Sequence, residues 1–516
     1  VIMRWELAAS KKRGIPPRKN PAAAGRGRNG MKKTLALILT FIIMATALIS
    51  CKKPGGQGDG TGDVTTDTKD IYADNVPDGL NYNGYEFTMA FPQPADNGLD
   101  FYIIGDGSVA SQIDTAVYNR NRQIEDRFGI TLKGFTVGFS DTFVNDLIPM
   151  LMSDPTAFDI ALVPFTFSGI PWITSGYAQP WNDVQYIDMS REYWSKSMTD
   201  NVAIDGFSFL IQGKINWTSA MSTQVCFFNT KVAEDNKVGN LYEEVDNGTW
   251  TFERLRTLAK GISQDLNNDG KYDENDRFGI IQSFYGGMYN WSIAAGYTTV
   301  LSTGSGLELN YNTEKFADIV SFCYDLLYKD NTAYVERFDY VQDSKGAKIF
   351  FRDQALFMFT DLGHGDYFRN ENSDYGIIPT PKWDEKQEKY CTTNDQWGLS
   401  CALPTTAPDT ARTGAVVEAL CALSGKMVYP TYYEKVLSAR NTRDDESKRM
   451  LDLIFSNIVY DAGITLARTD AYIPLCKLLD ERSPKADLAS WTAKYSGKVK
   501  AQFDDLYKYV AENYKK

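Results

Sequence analysis

The 516-residue sequence has few of the side chains that build many catalytic and metal centres. It contains a single histidine, His364, which argues against a Ser–His–Asp hydrolase and against a metal site made of several histidines. Its seven cysteines show no Cys-x-x-Cys pair and no zinc-ligand spacing. The cysteines after residue 51 are either paired or free and buried, and their spacing does not decide between these two states.

Basic residues are also scarce once the first 50 residues are set aside. Those residues carry ten Lys or Arg and one acid, so residues 51–516 hold 44 basic and 65 acidic side chains, a net charge of −21. Binding to nucleic acid needs a basic face, and we therefore expect no nucleic-acid partner. Acidic charge spread over a surface favours solubility and does not indicate a cationic ligand.

One long apolar run, "LALILTFIIMATAL" at 35–48, is too short to predict a comfortable membrane span. It follows "MKK" and precedes "LISC", which together predict a signal peptide over residues 31–50. This pattern resembles the lipobox of bacterial lipoproteins, which implies cleavage before Cys51 and lipidation of its thiol. Residues 1–30, which are basic and rich in Gly, Pro and Ala, are predicted not to belong to the native protein.

Residues 51–80 are rich in Gly, Thr and Asp and predict a flexible tether. Beyond them, strand-like and helix-like segments alternate, with strands predicted at 85–91, 130–137 and 158–164. Strand–helix–strand order predicts an α/β fold with parallel pairing and right-handed crossovers. In such sheets a ligand binds beyond the carboxyl ends of the strands, which places the aromatic-rich segment after residue 164 near a ligand.

The stretch "DLNNDGKYDEND" at 265–276 matches a calcium-binding loop of the EF-hand type. Such a loop needs oxygen ligands at positions 1, 3, 5, 7, 9 and 12 and a glycine at position 6, which is Gly270 here. The ligand positions fall on Asp265, Asn267, Asp269, Lys271 (through its carbonyl), Asp273 and Asp276. Asp276 replaces the usual glutamate and is shorter. The prediction is a structural Ca²⁺ ion, and the alternative is an acidic turn without metal.

Several segments, taken in order, resemble the extracellular solute-binding lipoproteins of carbohydrate ABC transporters, the group that includes maltose-binding protein. The similar segments are "FDIALVP", "STQVCFFNTKVAED", "TWTFERLRTLAKGI", "YNWSIAAG", "KIFFRDQALFMFTDLG" and "DYGIIPTPKWDEKQEKY". The resemblance covers most of residues 51–516, the expected mature chain. It implies a periplasmic-binding-protein fold of type II, in which two hinged α/β lobes close on a ligand and the C-terminal region is rich in helices.

The resemblance also implies where each lobe lies in the sequence. Lobe 1 is expected to comprise residues 81–222 and 352–398. Lobe 2 is expected to comprise residues 223–351 and 399–516, and it would carry the calcium-type loop.

A sugar presents apolar C–H faces and many hydroxyl groups, so its site needs aromatic planes and polar groups of fixed direction. The resemblance points to stacking faces from lobe 2 and lobe 1, to polar groups at the end of a strand, and to two tryptophans near the crossings between lobes. These candidates are Trp291, Tyr289, Phe165, Trp172, Asp361, His364, Trp217 and Trp397. Each aromatic residue has an alternative role in the hydrophobic core, and His364 has an alternative role in holding a loop.

The resemblance therefore implies a lipid-anchored, extracytoplasmic, monomeric protein that captures a carbohydrate, most simply an oligosaccharide, and delivers it to an ABC-transporter permease. Its contact with the membrane would be through the lipid anchor alone. The alternative is a surface lipoprotein of the same fold that binds a glycan or a peptide without transport. We expect no enzymatic activity, because no motif singles out the paired carboxylates that a glycosidase needs.

Overall fold

The computed structural model describes residues 70–92, 103–105, 111–138, 143–165, 169–303, 306–336, 344–365, 373–394, 398–438, 445–467, 470–471, 473–479 and 488–514. These residues belong to one compact unit, which spans Lys69–Lys516. The predictions for residues 1–50, for Cys51 and for most of the tether lie outside the described residues. So does the prediction for Trp397.

The predicted tether is wrong for its last residues, because the chain packs against the fold from residue 70 onward. Val76 is buried, and Arg127 donates two hydrogen bonds to the Asp74 carboxylate, of 2.7 and 2.9 Å. A partly buried bidentate pair of this kind holds the segment in one place. The many Asp and Gly residues of the segment indicated flexibility. Its order depends on Arg127 of α1, which is distant in sequence and therefore left no local signal.

Thirteen strands are described, and they are numbered in chain order: β1 Tyr85–Pro92, β2 Ile130–Val137, β3 Ile160–Pro164, β4 Ala178–Gln179, β5 Leu210–Ile211, β6 Gln224–Asn229, β7 Phe278–Ser283, β8 Val300–Thr303, β9 Gly306–Leu309, β10 Ala333–Glu336, β11 Ala355–Asp361, β12 Tyr375–Ile378 and β13 Leu399–Pro404.

The described α-helices are α1 Gln112–Phe128, α2 Phe143–Ser153, α3 Gly169–Thr174, α4 Lys196–Val202, α5 Thr218–Met221, α6 Thr230–Asp235, α7 Leu241–Asp246, α8 Phe252–Ile262, α9 Phe284–Ala294, α10 Glu314–Tyr324, α11 Lys345–Phe351, α12 Thr410–Leu423, α13 Tyr429–Ser438, α14 Asp445–Ser456, α15 Ala462–Leu466, α16 Ile473–Cys476 and α17 Leu488–Asn513. Two short π-helical turns, Asp325–Lys329 and Ser424–Val428, follow α10 and α12.

The first sheet has the strand order β2-β1-β3-β13-β4, and β5 also pairs with β13. As predicted, β1 pairs in parallel with both β2 and β3. The helix between β1 and β2 begins after Ser111, whose hydroxyl caps the N–H of Asp114, and ends at Gly129 with φ +59°. Every residue of β3 is buried, which its unbroken apolar sequence predicts for an interior strand.

The second sheet has the order β10-β7-β11-β6-β12. Strands β10, β7 and β11 are parallel to one another, whereas β6 is antiparallel to both of its neighbours. Helix α8 covers this sheet, and the Thr251 hydroxyl caps its start by accepting the N–H of Arg254, as the sequence predicts. Its residues Leu255 and Ala259 are buried at helical spacing.

The predicted lobe boundaries are wrong in two places, and strand pairing gives the reason. Strands β11 and β12, expected in lobe 1, pair with β6 and β7 in the second sheet. Strand β13, expected in lobe 2, pairs with β3 in the first sheet. Lobe 1 therefore contains the first sheet with β13, and lobe 2 contains the second sheet. The β8–β9 hairpin joins lobe 2 through α10, whose Phe316 stacks on Tyr297 and whose Phe322 stacks on Phe252 of α8.

The C-terminal helices divide between the two lobes. Helix α12 packs in the core of lobe 1 with Ile124 and Phe128 of α1. Helix α14 packs on lobe 2, where Leu451 shares a buried cluster with Phe227 of β6. Helix α13 contributes Tyr432 to the same cluster, which also includes Val117 of α1 in lobe 1. The whole span 399–516 thus does not belong to lobe 2, contrary to the prediction.

The cysteines between residues 70 and 516 that the structure describes are all free, which answers the question left open by their spacing. Among the helices of the described segments, none combines the length and apolarity needed to cross a membrane.

Candidate functional site

Two chain segments that cross between the lobes lie side by side. The first runs through residues 212–223 and contains α5, and the second runs from Cys391 toward β13. The N–H of Gln224 donates to the Thr393 carbonyl at 2.9 Å, and Thr223 forms an antiparallel bridge with Asn394. Paired crossings of this kind form a narrow connection about which two lobes can rotate.

Asn394 joins these two crossing segments through its side chain. Its amide nitrogen donates to the Ser219 carbonyl, to the Ser222 hydroxyl at 3.2 Å and to the Thr223 hydroxyl at 3.1 Å. Its amide oxygen accepts the hydroxyl of Tyr460 at 2.6 Å. Asn394 is fully buried and both ends of its amide are used, as a buried polar group requires.

Strands β3 and β11 both end at the crossing segments, one from each lobe. Directly after β3, the N–H of Phe165 donates to the Gly398 carbonyl at 2.9 Å. Directly after β11, the N–H of Leu362 donates to the Thr223 carbonyl at 2.8 Å. The carboxyl ends of a strand from each sheet thus lie where an α/β protein binds its ligand, so this region is the candidate site.

Among the predicted site residues, Phe165 and Tyr289 come together at the second crossing segment. The Phe165 ring meets the Tyr460 ring edge-on, with ring centroids 5.5 Å apart. The Tyr289 hydroxyl contacts the Thr393 hydroxyl and donates to the Asn394 carbonyl at 3.4 Å. Both rings are buried in this structure and present no face to a ligand.

Asp361 and His364 form a polar pair at the end of β11. His364 Nδ1 lies 2.6 Å from Asp361 Oδ1 and 3.0 Å from the Thr360 hydroxyl. The His364 backbone N–H also donates to the Asp361 carboxylate at 3.2 Å. The His364 side chain remains 16% exposed, and this makes it the more accessible member of the pair. Together they offer fixed donors and acceptors of the kind that orient sugar hydroxyl groups.

Two of the predicted tryptophans, Trp291 and Trp172, lie in hydrophobic cores. Trp291 packs against Phe252 and Phe359 of lobe 2, and its indole N–H donates to Gln282 at 3.0 Å. In this structure Trp291 is 1% exposed and presents no face to a ligand. Trp172 is fully buried on α3 in lobe 1. Both residues thus have, in this structure, the alternative role stated above, which is packing in a hydrophobic core.

Trp217 lies at the start of α5 in the first crossing segment, where the sequence predicted it. Its ring packs against Tyr432, with centroids 5.4 Å apart, and Lys435 Nζ lies 5.7 Å from its centroid. These contacts attach the crossing segment to α13 rather than to the Asp361–His364 pair. Its buried indole N–H has no hydrogen-bond acceptor.

Sequence reasoning missed Asn394 and Tyr460. Asn394 stands three residues before the predicted Trp397, so its proximity to a crossing could have been inferred. Tyr460 carries no local signal, because its contacts with Phe165 and Asn394 depend entirely on tertiary structure. Burial raises the pKa of Tyr460 well above its usual range, so its hydroxyl stays protonated and able to donate.

The calcium-type loop folds back on itself through its carboxylates. Asp265 accepts the N–H groups of Asn268 and Gly270, at 2.7 and 2.9 Å. The buried Asp276 accepts those of Leu266 and Asp273, at 2.9 and 2.8 Å. Gly270 has φ +80°, the left-handed conformation that the turn at position 6 requires.

Asn267, Asp269 and Asp273 lie on the same turn and also accept backbone N–H groups. Asn267 Oδ1 accepts from Asp269, and Asp269 Oδ1 accepts from Lys271, at 2.9 and 2.8 Å. Across the described segments, no three His, Cys, Asp or Glu side chains are grouped so that they could hold a metal ion. A carboxylate oxygen that accepts one N–H keeps a second lone pair, so these bonds leave the calcium prediction open to test.

No protein-family model matches the chain, and no curated protein matches its sequence. Solved structures match its fold. One is the galacto-N-biose-/lacto-N-biose I-binding protein of an ABC transporter from Bifidobacterium longum, in complex with lacto-N-biose. It shares 12% identity at a TM-score of 0.54, and the match covers 83% of this chain and 98% of that chain.

Two further similar structures are the GacH receptor of Streptomyces glaucescens, studied unliganded and with acarbose, and an ABC substrate-binding protein from Listeria monocytogenes in complex with cycloalternan. Their TM-scores are 0.53 and 0.51, and each shares 11% identity with this chain. The matches cover 81% and 80% of this chain, and 99% of each of the other chains. The predicted two-lobed α/β fold is confirmed by these similarities.

Proposed function

We propose that this chain captures a carbohydrate between its two lobes. The observation that carries the proposal is that strands from both sheets end at the paired crossing segments, with Phe165 from one lobe and the Asp361–His364 pair from the other. The similar structures support it, because those named above were solved with lacto-N-biose, acarbose or cycloalternan bound. A capture role uses binding and lobe rotation and needs no catalytic group.

The site chemistry fits a sugar better than an apolar ligand. Asp361 accepts hydrogen bonds through its carboxylate, and the partly exposed His364 ring can donate or accept, so the pair can fix hydroxyl directions. Movement of Tyr460 away from the Phe165 ring, which it meets edge-on here, would free a ring face that can meet the apolar face of a sugar. Closure on a bound sugar requires that the sugar interact with both lobes more favourably in the closed state.

We further propose that the protein is held at a membrane through lipidated Cys51 and passes its ligand to an ABC-transporter permease. This part of the proposal is supported by the lipobox-like sequence and by the ABC transporters named for similar structures. Incorporation of labelled palmitate in the expressing bacterium, and its loss in Cys51→Ala, would test the anchor. A protein that binds sugars but carries no lipid would leave capture intact and overturn the anchor.

Titration with sugars tests capture directly. Isothermal titration and thermal shift of the chain from residue 52 onward, with maltotetraose, lacto-N-biose and acarbose, are expected to give saturable binding and a raised Tm for one class of glycan. Asp361→Asn should weaken that binding about tenfold or more, because a hydrogen bond to a charged group contributes about 1.5–3 kcal/mol. Asp126→Asn, on the exposed surface of α1, is the matched control and should bind as the wild type does.

Two outcomes would contradict this assignment. Binding of a peptide mixture with no response to any glycan would favour the alternative of a peptide-binding protein. Equal affinity in Asp361→Asn and in Asp126→Asn would show that the end of β11 does not contact the ligand.

We also propose that the loop 265–276 binds Ca²⁺ as a structural ion of lobe 2, through Asp265, Asn267, Asp269, Asp273, Asp276 and the Lys271 carbonyl. The support is the agreement of the sequence with EF-hand spacing and the positive φ of Gly270. The loop is closed at its base by two backbone hydrogen bonds between Gln264 and Arg277, both 3.0 Å. An ion bound there would thus stabilise the junction between α8 and β7.

Calcium is therefore expected to raise the Tm of the protein relative to the same protein in chelator. At a calcium concentration 100-fold above Kd, the native state gains about 2.7 kcal/mol. Asp269→Asn can still accept the Lys271 N–H but removes a ligand charge, so it should abolish most of the calcium response. The Tm in chelator should change little, because the bond that is lost, from the Asn267 amide to Asp269 Oδ2 at 3.2 Å, is exposed. Identical melting of the wild type in calcium and in chelator would show that the loop is a turn without metal.

A further inference from the structure

Two consecutive residues between α14 and α15, Tyr460 and Asp461, each contact a different lobe. Both are almost completely buried. They belong to neither of the two crossing segments described above. Their surroundings therefore constitute a separate connection between the lobes.

Tyr460 binds lobe 1 through its backbone as well as through its ring. Its N–H donates to the Ser197 hydroxyl at 3.0 Å, and its carbonyl accepts the Asn201 amide, also at 3.0 Å. Both partners lie on α4, and the ring meets Phe165 at the end of β3. The hydroxyl adds the bond to Asn394 in the second crossing segment.

Asp461 binds lobe 2 through its carboxylate. It accepts the backbone N–H of Thr299 and, at 2.9 Å, the Thr299 hydroxyl, which precede strand β8. The same carboxylate caps α15 by accepting the N–H groups of Gly463 and Ile464, at 2.8 and 3.3 Å. Burial raises the pKa of Asp461, whereas these four donors lower it and stabilise the charged form.

Residues 457–459, just before Tyr460, are hydrogen-bonded to the second crossing segment. Thr392 donates its N–H to the Asn457 carbonyl at 3.1 Å and accepts the N–H of Val459 at 2.7 Å. Any rotation of the lobes about the crossings would therefore move Ser197 and Thr299 relative to each other while Tyr460 and Asp461 stay covalently joined. One set of their hydrogen bonds has to break for the lobes to separate.

Helix α17 reinforces this connection from a second side. Near its start, Trp491 meets the Tyr311 ring of lobe 2 edge-on at 4.9 Å. At the end of the described chain, the Tyr514 hydroxyl donates to the Ala178 carbonyl of lobe 1 at 2.7 Å, and its ring meets Phe209 at 5.0 Å. The helix thus has one end on each lobe.

We propose that Tyr460 and Asp461 act as a coupling between the lobes, which holds them in the orientation described here and has to be released when they separate. The proposal rests on the two-lobed fold and not on the identity of the ligand. It assigns Tyr460 and Asp461 a positioning role, since neither is proposed to touch a sugar.

The test measures lobe separation in the absence of any ligand. Small-angle scattering gives the radius of gyration, and hydrogen exchange gives the protection of the Gln224 and Val459 amides in and beside the crossings. Tyr460→Phe combined with Asp461→Asn should increase the radius of gyration beyond experimental error. It should also speed exchange at these amides by about fivefold or more, the factor that corresponds to losing one hydrogen bond.

The Asp461→Asn change keeps one side-chain oxygen, but its amide nitrogen would face either the Thr299 N–H or the N–H groups at the start of α15, and two donors would then oppose each other. Thr299→Val, which keeps shape and removes only the hydroxyl, provides a milder variant if the double variant does not fold. Tyr193→Phe combined with Asp409→Asn is the matched control. Tyr193 donates to Glu418 and Asp409 caps α12, both within lobe 1.

The proposal predicts that only the variants at positions 460, 461 and 299 change lobe separation, while the control pair changes the Tm alone. If the 460/461 variant or Thr299→Val melts lower but keeps the wild-type radius of gyration and exchange rates, the two residues are only packing elements and the proposal is wrong. Because no sugar is present, this result is independent of whether the chain binds carbohydrate.

Discussion

Replacing Gly279 with alanine is expected to destabilise lobe 2 by about 3 kcal/mol, the upper part of the range for overpacking a core. Gly279 lies in β7 directly beneath α8. A Cβ atom at this position would lie 2.2 Å from the Cα of Ala259 and 2.6 Å from its carbonyl oxygen. Both atoms belong to the helix backbone, so relief requires α8 to move as a unit away from the sheet that it covers.

The control is Gly261→Ala in α8, the helix that packs on Gly279. Nothing lies within 4 Å of a Cβ at Gly261, so alanine there should stabilise the helix by about 0.5–1 kcal/mol. Urea titration followed by circular dichroism and tryptophan fluorescence would compare the unfolding midpoints of the two variants. A Gly279→Ala midpoint equal to that of the wild type would mean that α8 and β7 are farther apart than this structure has them.

Replacing Arg120 with methionine is the second change from which we expect a large effect. Arg120 is 1% exposed, and all five of its N–H groups are used. Its guanidinium donates to the carbonyls of Ile103 and Ile215, to the Ser424 hydroxyl and twice to the Asn121 amide oxygen, at 2.7–2.9 Å. Burial lowers the pKa of Arg120 to about 10, so the side chain is still charged at neutral pH.

Methionine fills a similar volume but leaves several buried acceptors without a donor. An unsatisfied buried polar group costs about 1–3 kcal/mol, so the total loss of unfolding free energy should reach about 3 kcal/mol or more. Arg122→Met on the same helix is the control, because that side chain is half exposed and its pair with Glu125 contributes about 0–1 kcal/mol. Similar denaturation midpoints for the two variants would contradict the role assigned to Arg120.

The position of Arg120 also gives its loss a second expected effect. Ile215 lies in the first crossing segment, and Ser424 begins the π-helical turn that follows α12 of lobe 1. The guanidinium therefore joins the first crossing segment to the chain that leaves lobe 1 through α13 toward α14. Exchange of the amides in these segments should accelerate in Arg120→Met more than exchange in β1.

Local features of the fold were predictable because their causes are local. The strand–helix–strand order, the cap at Thr251 and the helix end at Gly129 all follow from residues within a few positions of each other. The assignment of strands to lobes failed because no local signal states which sheet a strand joins. The apolar sequences of β11 and β13 are alike in kind, and only their partners distinguish them.

The candidate site residues were predicted from strand position and from the family resemblance. Phe165 was expected near a ligand because it follows a predicted strand, and Asp361 and His364 because of the family resemblance. In this structure Phe165 and Leu362, the residue after Asp361, contact the crossing segments. Trp291 was expected at a ligand surface because of its segment, yet its indole donates to Gln282 in the core of lobe 2. The contact between Tyr460 and Asn394 joins residues 66 positions apart, and the sequence around neither residue predicts it.

The position of β13 in the first sheet has a consequence for how the chain folds as it is made. β13 separates β3 from β4 and is also the partner of β5, although the entire second sheet intervenes in sequence. All strands of lobe 2 are therefore synthesised before the last strand of lobe 1. We expect the sheet of lobe 2 to form first. Until Leu399–Pro404 has been synthesised, one edge of β3 has no partner strand and is prone to aggregation.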